Sequence, residues 1–218
     1  TVCGATKAEV IPMLTHDHNF TWTVISQATV FAPEKQEGIC TICGAKKTRD
    51  NGNKLTATIK LNATSIKLQK KQSTTKVKVT GLANGDSVKS WTSSNKKIVT
   101  VDKNGKIKAG KKTGNAKITV TLKSGKKAIL KVKVQSTKVK TTKITGLKTN
   151  VTLKKGKSLT LKPVVAPITS QEKVTYSSSN KKIATVSSSG VITGKKKGTA
   201  YITVKSGKIR KKVKVVVK

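Results

Sequence analysis

The sequence predicts an all-β protein made of two tandem antiparallel β-sandwiches, preceded by a small β-rich module that contains cysteine and histidine. Three observations favour this fold class. Short segments alternate apolar residues with lysine, turn dipeptides with glycine separate them, and one block of sequence occurs twice. No segment sustains the 3.6-residue apolar period of an amphipathic helix.

The alternating segments are typical of strands with one face on a core and one face in water. Residues 129–134 and 212–215 follow this period of two, with valine or leucine between lysines. Asn104-Gly105 and Ser189-Gly190 are turn dipeptides between such segments. About seven short strands in each of two units predict an antiparallel sandwich.

The internal repeats define the predicted domains. Residues 91–101, WTSSNKKIVTV, match residues 176–186, YSSSNKKIATV, and Gly114-Asn-Ala-Lys-Ile-Thr-Val matches Gly198-Thr-Ala-Tyr-Ile-Thr-Val. We therefore predict homologous domains at 56–136 and 137–218. A second repeat relates TVCGATK at the start of the chain to TICGAKK at 41–47, so Cys3 corresponds to Cys43. The N-terminal unit, 1–55, is accordingly expected to begin inside a truncated repeat.

The charge is strongly positive, with 47 basic residues, nearly all lysine, against 8 acidic ones and a formal net charge of +39. Such a field binds polyanions at low salt. Specific nucleic-acid recognition is not expected, because arginine forks and stacking aromatics are scarce. Lysine on exposed strands also opposes edge-to-edge aggregation. No segment has the length of apolar sequence that a membrane helix needs.

The ordered motifs of the repeat resemble the group 2 bacterial immunoglobulin-like (Ig-like) domain of intimin- and invasin-type adhesins and other bacterial surface proteins. The resemblance rests on the aromatic-Ser/Thr-Ser-Ser-Asn turn, the following Ile-Ala/Val-Thr-Val, a Ser/Asn-Gly turn and the final Gly-x-Ala-x-Ile-Thr-Val. In the second unit a step glycine, Gly156, also matches, whereas Lys71 replaces it in the first. The resemblance implies two Ig-like sandwiches and a surface role.

Trp91 and Tyr176 occupy equivalent positions, and we interpret each as a core plug rather than a ligand platform. The predicted cores contain Trp91, Ile98, Val101 and Ile118 in one domain, and Tyr176, Ile183, Val186 and Ile202 in the other. The Ser-Ser-Asn stretches are interpreted as turn chemistry rather than a phosphate site.

No enzymatic activity is expected, and no catalytic residue is assigned. Beyond residue 55 the chain has no histidine, no cysteine and three carboxylates, Asp86, Asp102 and Glu172. General acid–base catalysis needs a pair of tuned groups, and a nucleophile needs an adjacent base.

The N-terminal unit carries the one candidate site for a cofactor. Cys40-Thr-Ile-Cys43-Gly44 is a turn that presents two thiolates to one cation, and His16 and His18 precede it. The candidate ligands of a structural zinc are Cys40, Cys43, His18, His16 and Cys3. A disulfide is an almost equal alternative, and free thiols are a third.

The same unit resembles short Cys- and His-containing repeats that accompany group 2 domains, although Val30 stands where a third cysteine follows Ala-Thr in them. A unit of this size usually needs a metal or a disulfide to stabilise it. Its expected buried residues are Phe20, Trp22, Val24, Val30, Phe31 and Ile39.

The favoured function is a non-enzymatic structural or adhesive module, a stalk or adhesin, of a secreted or cell-surface bacterial protein. Its expected partners are host or cell-wall glycans or proteins, with non-specific polyanions at low salt and no membrane insertion. Two alternatives stay open. One is a spacer or carbohydrate-binding accessory region of a large secreted enzyme, and the other is an electrostatic binder of anionic polymers.

Overall fold

The computed structural model describes residues 17–218, and this part of the chain contains β-strands and no helix. The predicted all-β fold class is therefore confirmed. Cys3 and His16 lie outside the described residues. The chain divides into two compact units: one contains 17–57 together with Ala83–Asp86, and the other contains Thr58–Leu82 and Ser87–Lys218.

The N-terminal unit is built on one antiparallel sheet of three strands in sequence order. Its strands are β1 (Phe20–Ser26), β2 (Glu34–Cys40) and β3 (Lys46–Asn51). Within this unit, the backbone amide of Val30 donates to the carbonyl of Asn84 at 3.1 Å, and the Asn84 side-chain amide donates to the carbonyl of Ala28 at 2.9 Å. The segment Ala83–Asp86 is thus hydrogen-bonded to the loop between β1 and β2.

The first Ig-like domain packs a four-stranded sheet, ordered β5-β12-β11-β8, against a three-stranded sheet, β6-β10-β9, with a small β4-β7 pair. Its strands are β4 (Lys60–Leu61), β5 (Ser65–Gln69), β6 (Ser73–Thr74), β7 (Val79–Thr80), β8 (Val88–Ser93), β9 (Val99–Val101), β10 (Ile107–Ala109), β11 (Gly114–Leu122) and β12 (Lys127–Gln135).

The second domain repeats this arrangement with sheets β14-β21-β20-β17 and β15-β19-β18 and a β13-β16 pair. Its strands are β13 (Lys143–Thr145), β14 (Asn150–Leu153), β15 (Ser158–Thr160), β16 (Val164–Ala166), β17 (Val174–Ser178), β18 (Ala184–Val186), β19 (Val191–Gly194), β20 (Gly198–Ser206) and β21 (Ile209–Val217).

Each domain contains one parallel strand pair within its otherwise antiparallel sheets. β5 pairs in parallel with β12, and β14 pairs in parallel with β21. The first long strand of each domain therefore lies beside the last one. It forms one edge of the larger sheet, which packs with the smaller sheet around a core formed by the alternating apolar residues of both.

The predicted core residues divide into buried and half-buried groups. Ile98, Ile118 and Ile202 are buried, the last two completely. The others are only half-buried and pack against the edge of their domain's core rather than at its centre: Trp91, Val101, Tyr176, Ile183 and Val186. The aromatic residues therefore close the cores from one side, and aliphatic side chains fill the centres.

The step from β5 to β6, and from β14 to β15 in the second domain, contains a residue with left-handed backbone. Gly156 has φ +79° in the second domain, and Lys71 has φ +64° at the matching position of the first. Left-handed backbone is costly for a residue with a Cβ atom. Lys71 is the only non-glycine residue with positive φ in the described part of the chain.

Candidate functional site

The two cysteines and His18 converge at one end of the N-terminal sheet. Phe20 pairs with Cys40 across β1 and β2, which places His18 just beyond the end of this pairing. Residues 40–45 form a tight turn, in which the amide of Gly44 donates to the carbonyl of Cys40 at 2.9 Å and Gly44 has φ +72°. This turn brings Cys43 back toward His18.

The distances suit a tetrahedral metal centre. The ligand atoms of His18, Cys40 and Cys43 all lie within 4.8 Å of one another, and the Cys43 Sγ to His18 Nδ1 distance is 3.4 Å. Zinc bonds to sulfur and nitrogen at ordinary lengths would separate such a pair by about 3.6 Å. Two thiolates with one imidazole are also the donor type that favours zinc. The residues present therefore fit this ion.

The site combines a buried ligand with two exposed ones. Cys40 is 2% exposed, whereas His18 and Cys43 face solvent. Three protein ligands leave a fourth position of a tetrahedral zinc for water or for a further side chain. The structure brings His18, Cys40 and Cys43 together; the other two candidates, His16 and Cys3, lie outside the described residues.

A row of rings along β1 orients the histidine. The His18 imidazole stacks on Phe20 with centroids 5.6 Å apart, and Phe20 lies 5.6 Å from Trp22. The guanidinium of Arg49, on β3, lies 3.8 Å from the Trp22 ring centroid. The sequence prediction missed the contributions of Arg49 and of Gly38, whose missing side chain makes room for Trp22.

The predicted buried set of this unit is partly wrong. Phe20, Trp22 and Val30 are half-buried. Val24, Phe31 and Ile39 are exposed, at 46%, 49% and 41%. Strand alternation explains Ile39, because its neighbours Gly38 and Cys40 point to the opposite, buried face. The weak apolar core makes a stabilising cross-link at the cysteines more important.

Two carboxylates of the Ig-like domains hold a turn and the linker in place. Asp102 Oδ1 accepts from the amides of Asn104 and Lys106, each at 2.9 Å. Glu172 Oε2 accepts from the amide of Thr141 in the linker at 2.7 Å. These bonds assign the two carboxylates a structural role.

The Ser-Ser-Asn stretches form the same side-chain-to-backbone turn in both domains. Ser93 Oγ donates to the carbonyl of Val99 at 2.7 Å, and Asn95 Oδ1 accepts from the amide of Lys97 at 3.0 Å. The second domain repeats these bonds with Ser178 and Asn180. The polar atoms are engaged in the turn, as the turn interpretation predicted.

Each plug ring covers the glycine of a neighbouring hairpin. A Cβ atom at Gly105 would lie 2.8 Å from the Trp91 ring, and one at Gly190 would lie 2.8 Å from Tyr176. Burial raises the pKa of the Tyr176 hydroxyl above its ordinary value. Both rings are held by packing, which supports the core-plug interpretation over a ligand platform.

Within residues 17–218, no helix is long and apolar enough to cross a membrane.

Comparisons with known proteins identify a family model and a curated relative that match this chain. A model of the bacterial Ig-like domain (group 2) matches residues 56–132 and 138–217. The kappa-carrageenase of Pseudoalteromonas carrageenovora is 56% identical over 64 residues, which cover 28% of this chain and 16% of that protein. The matched segment thus spans a small part of this relative's length.

Two solved structures resemble this chain, each with a low TM-score. Domains 4 and 5 of the S-layer protein SbsC are 20% identical, with a TM-score of 0.36 and coverage of 91% of this chain and 98% of that one. A GH10 xylanase from termite gut that contains a bacterial Ig-like domain is 26% identical, with a TM-score of 0.27 and coverage of 31% and 18%.

Proposed function

The chain belongs to the group 2 bacterial Ig-like domain family, and we propose that it is a non-enzymatic spacer of an extracellular bacterial protein. In this role the two Ig-like domains act as one stiff rod that holds neighbouring parts of the protein apart, as a stalk does. The observation that carries the proposal is the joint between the domains. A rod needs a joint that resists bending, whereas a flexible tether would have few contacts across it.

The centre of the joint is a loop of the second domain that docks on the first. Ile168 packs against the core of the first domain, and Thr169 is 2% exposed. Thr169 Oγ1 donates to the carbonyl of Lys67 at 2.6 Å, and its own carbonyl accepts from the Gln72 side chain at 2.9 Å. An apolar anchor and satisfied buried hydrogen bonds together resist hinge motion.

The linker between β12 and β13 is also fixed in place. Val139 is 2% exposed, and its amide donates to the Gln171 side chain at 2.9 Å. The buried Thr141 hydroxyl lies 2.7 Å from Ser206 Oγ and 2.8 Å from Ser170 Oγ. A linker with these bonds is part of the second domain rather than a swivel, which supports the stiff rod.

The composition supports a role without catalysis. The Ig-like domains lack histidine and cysteine, and the carboxylates of Asp102 and Glu172 accept hydrogen bonds from backbone amides. Lysine-covered strands keep such a rod soluble and block pairing at its sheet edges.

Identity with a segment of the kappa-carrageenase favours one second candidate. In this alternative, the rod is the accessory spacer of a large secreted enzyme whose catalytic domain lies elsewhere in the parent protein. An adhesin stalk and an enzyme spacer require the same stiff joint, so the structural proposal is common to both.

We also propose that zinc, held by His18, Cys40 and Cys43, stabilises the N-terminal unit. The proximity of His18 to both thiols supports zinc over a disulfide, because a disulfide needs no histidine.

The joint can be tested through the stability that it gives to the first domain. Ile168→Ser should increase hydrogen exchange at the amides of β5 and β12, although the substituted residue belongs to the second domain. Val164→Ser is the control, because Val164 belongs to the same domain as Ile168 and is 55% exposed. Unchanged exchange after Ile168→Ser would contradict a joint that couples the domains.

A further inference from the structure

The four-stranded sheet of the first domain carries a cluster of lysines on its outer face. Lys117 of β11 is directly opposite Lys131 of β12, and Lys133 of β12 is directly opposite Lys67 of β5. All four side chains are exposed. We call these four residues, which form a staggered row across three strands, the lysine square. The Cα atoms of each cross-strand pair are about 5 Å apart, and those of Lys131 and Lys133 along β12 are about 7 Å apart.

Like charges directly opposite each other on neighbouring strands destabilise a sheet. The second domain has no such cluster at the matching positions, although Lys205 is directly opposite Arg210 elsewhere on its sheet. At the positions that match Lys117, Lys133 and Lys67 it has Tyr201, Val216 and Thr152, and only Lys214, the match of Lys131, is basic. The same fold therefore forms without the square. A locally unfavourable arrangement in one of two homologous domains points to a binding role.

The square forms one wall of a groove of about 1090 Å³ between the two Ig-like domains. Lys138 and Lys140 of the linker add two further ammonium groups, and no carboxylate lines the groove in the described part of the chain. Serine, threonine and amide side chains also line it, including Ser65, Asn115 and Gln135. Their donors and acceptors suit neutral hydroxyl groups.

We propose that this groove binds a linear anionic polysaccharide, with sulfate or carboxylate groups on the lysine square and sugar hydroxyls on the neighbouring polar side chains. Charge complementarity argues for an anion, and the mixture of ammonium, hydroxyl and amide groups argues for a sugar chain. The lining contains no aromatic ring and no arginine. It therefore lacks the stacking surface and the bidentate phosphate contact that nucleic-acid sites use.

The inference goes beyond a spacer role, although the groove exists because the joint holds the two domains together. The residues of the square contribute no side chain to the joint, since the bond from Thr169 reaches the backbone carbonyl of Lys67. A substitution in the lysine square can therefore abolish polysaccharide binding without loosening the joint, and loss of one does not imply loss of the other.

The test compares two variants of the whole chain that lose the same charge from the same domain. The square variant, K67T/K117Y/K133V, places the second domain's own residues at the matching positions. The control variant, K103S/K106V/K108T, does the same for exposed lysines on and beside β10, outside the groove. Each variant has three positive charges fewer than the parent chain.

The probe is dextran sulfate at about 150 mM salt, where long-range attraction is screened, with uncharged dextran as the negative control. We expect the square variant to lose binding by about tenfold or more and the control variant to stay within about twofold of the parent, because contact charges dominate affinity when the field is screened. The variant K67Q/K117Q/K133Q should lose binding in the same way, which removes any effect of the new tyrosine.

Thermal unfolding checks the fold, and the square variant should melt no lower than the parent, since two like-charge pairs are gone. Equal losses in the square and control variants would overturn the proposal in favour of a non-specific charge field. Unchanged binding by the square variant would also overturn it. Tighter binding of a single-stranded DNA oligonucleotide, with the same dependence on the square, would assign the groove to nucleic acid instead.

Discussion

The Trp91 ring lies over Gly105 so closely that a Cβ atom on this glycine would be 2.8 Å from it. The second domain repeats the contact with Tyr176 and Gly190. In both domains the ring closes the end of the core, and the hairpin glycine makes this possible. The aromatic residue and the Ser/Asn-Gly turn are therefore parts of one packing unit, although the sequence separates them by 14 residues in each domain.

Gly105→Ala should destabilise the first domain by about 3 kcal/mol. About 1–2 kcal/mol comes from the left-handed backbone at φ +77°, and the remainder from displacement of the ring. Gly125→Ala is the control, because Gly125 has φ +86° with nothing within 4 Å of its added Cβ atom. Denaturant unfolding measures both variants, and equal losses would show that the Trp91 contact contributes nothing.

Lys71→Gly should stabilise the first domain by up to about 1 kcal/mol. A left-handed backbone is unfavourable for lysine, which has a Cβ atom, and not for glycine. Glycine loses more chain entropy on folding, which reduces the gain. Lys70→Gly, one residue earlier and outside the left-handed region, should instead destabilise by about 0.5–1 kcal/mol. A change of the same sign in both variants would contradict the strain at Lys71.

Alkaline pH should weaken the second domain through Tyr176. Burial raises its pKa in the folded protein, so the folded state holds the proton more tightly than the unfolded chain. The stabilising effect is complete below the unfolded pKa of about 10 and is lost as the pH rises through the folded value. The informative quantity is the difference in unfolding free energy between the parent and Tyr176→Phe, because the contributions of all other groups cancel in it. A difference that stays constant from about pH 8 to pH 11 would contradict this burial effect.

Zinc should bind the N-terminal unit at one ion per chain. Elemental analysis should find the metal in the parent and in Ile42→Ala, whose side chain is 68% exposed in the same turn. His18→Ala and Cys43→Ser should each lose most of it, because three protein ligands become two. The zinc content of Cys3→Ser and of His16→Ala, measured separately, shows whether either residue supplies a fourth ligand.

A chelator should then release the metal and increase hydrogen exchange in β1–β3 while leaving the Ig-like domains unchanged. A folded N-terminal unit with reactive thiols and no metal would exclude both the zinc and the disulfide versions of the cross-link.

Local sequence patterns predicted much of this fold because they report on single strands. The alternation of valine and lysine predicted β12 and β21, and the repeat predicted that both domains share one topology. Which strands pair with each other could not be predicted in this way. The parallel pairing of β5 with β12 joins segments more than 60 residues apart, and alternation within either strand contains no information about it.

The candidate site was predictable in its ligand types and not in its supporting residues. Cys40-x-x-Cys43-Gly indicated a two-thiolate turn from sequence alone. The strand register, which pairs Phe20 with Cys40, then brings His18 to the thiols. The exposure of Val24 on β1 and of Phe31 in the loop between β1 and β2 was not predictable, because hydrophobicity does not specify which part of a small unit another layer covers.

The central claim is that the two Ig-like domains form one stiff rod, and ¹⁵N relaxation of the whole chain tests it most directly. Amides of 58–82, 87–135 and 143–217 should fit a single rotational diffusion tensor, elongated along the rod, because the joint leaves no independent motion between the two domains. Two tensors, each with the shorter correlation time of an isolated domain, would contradict the claim.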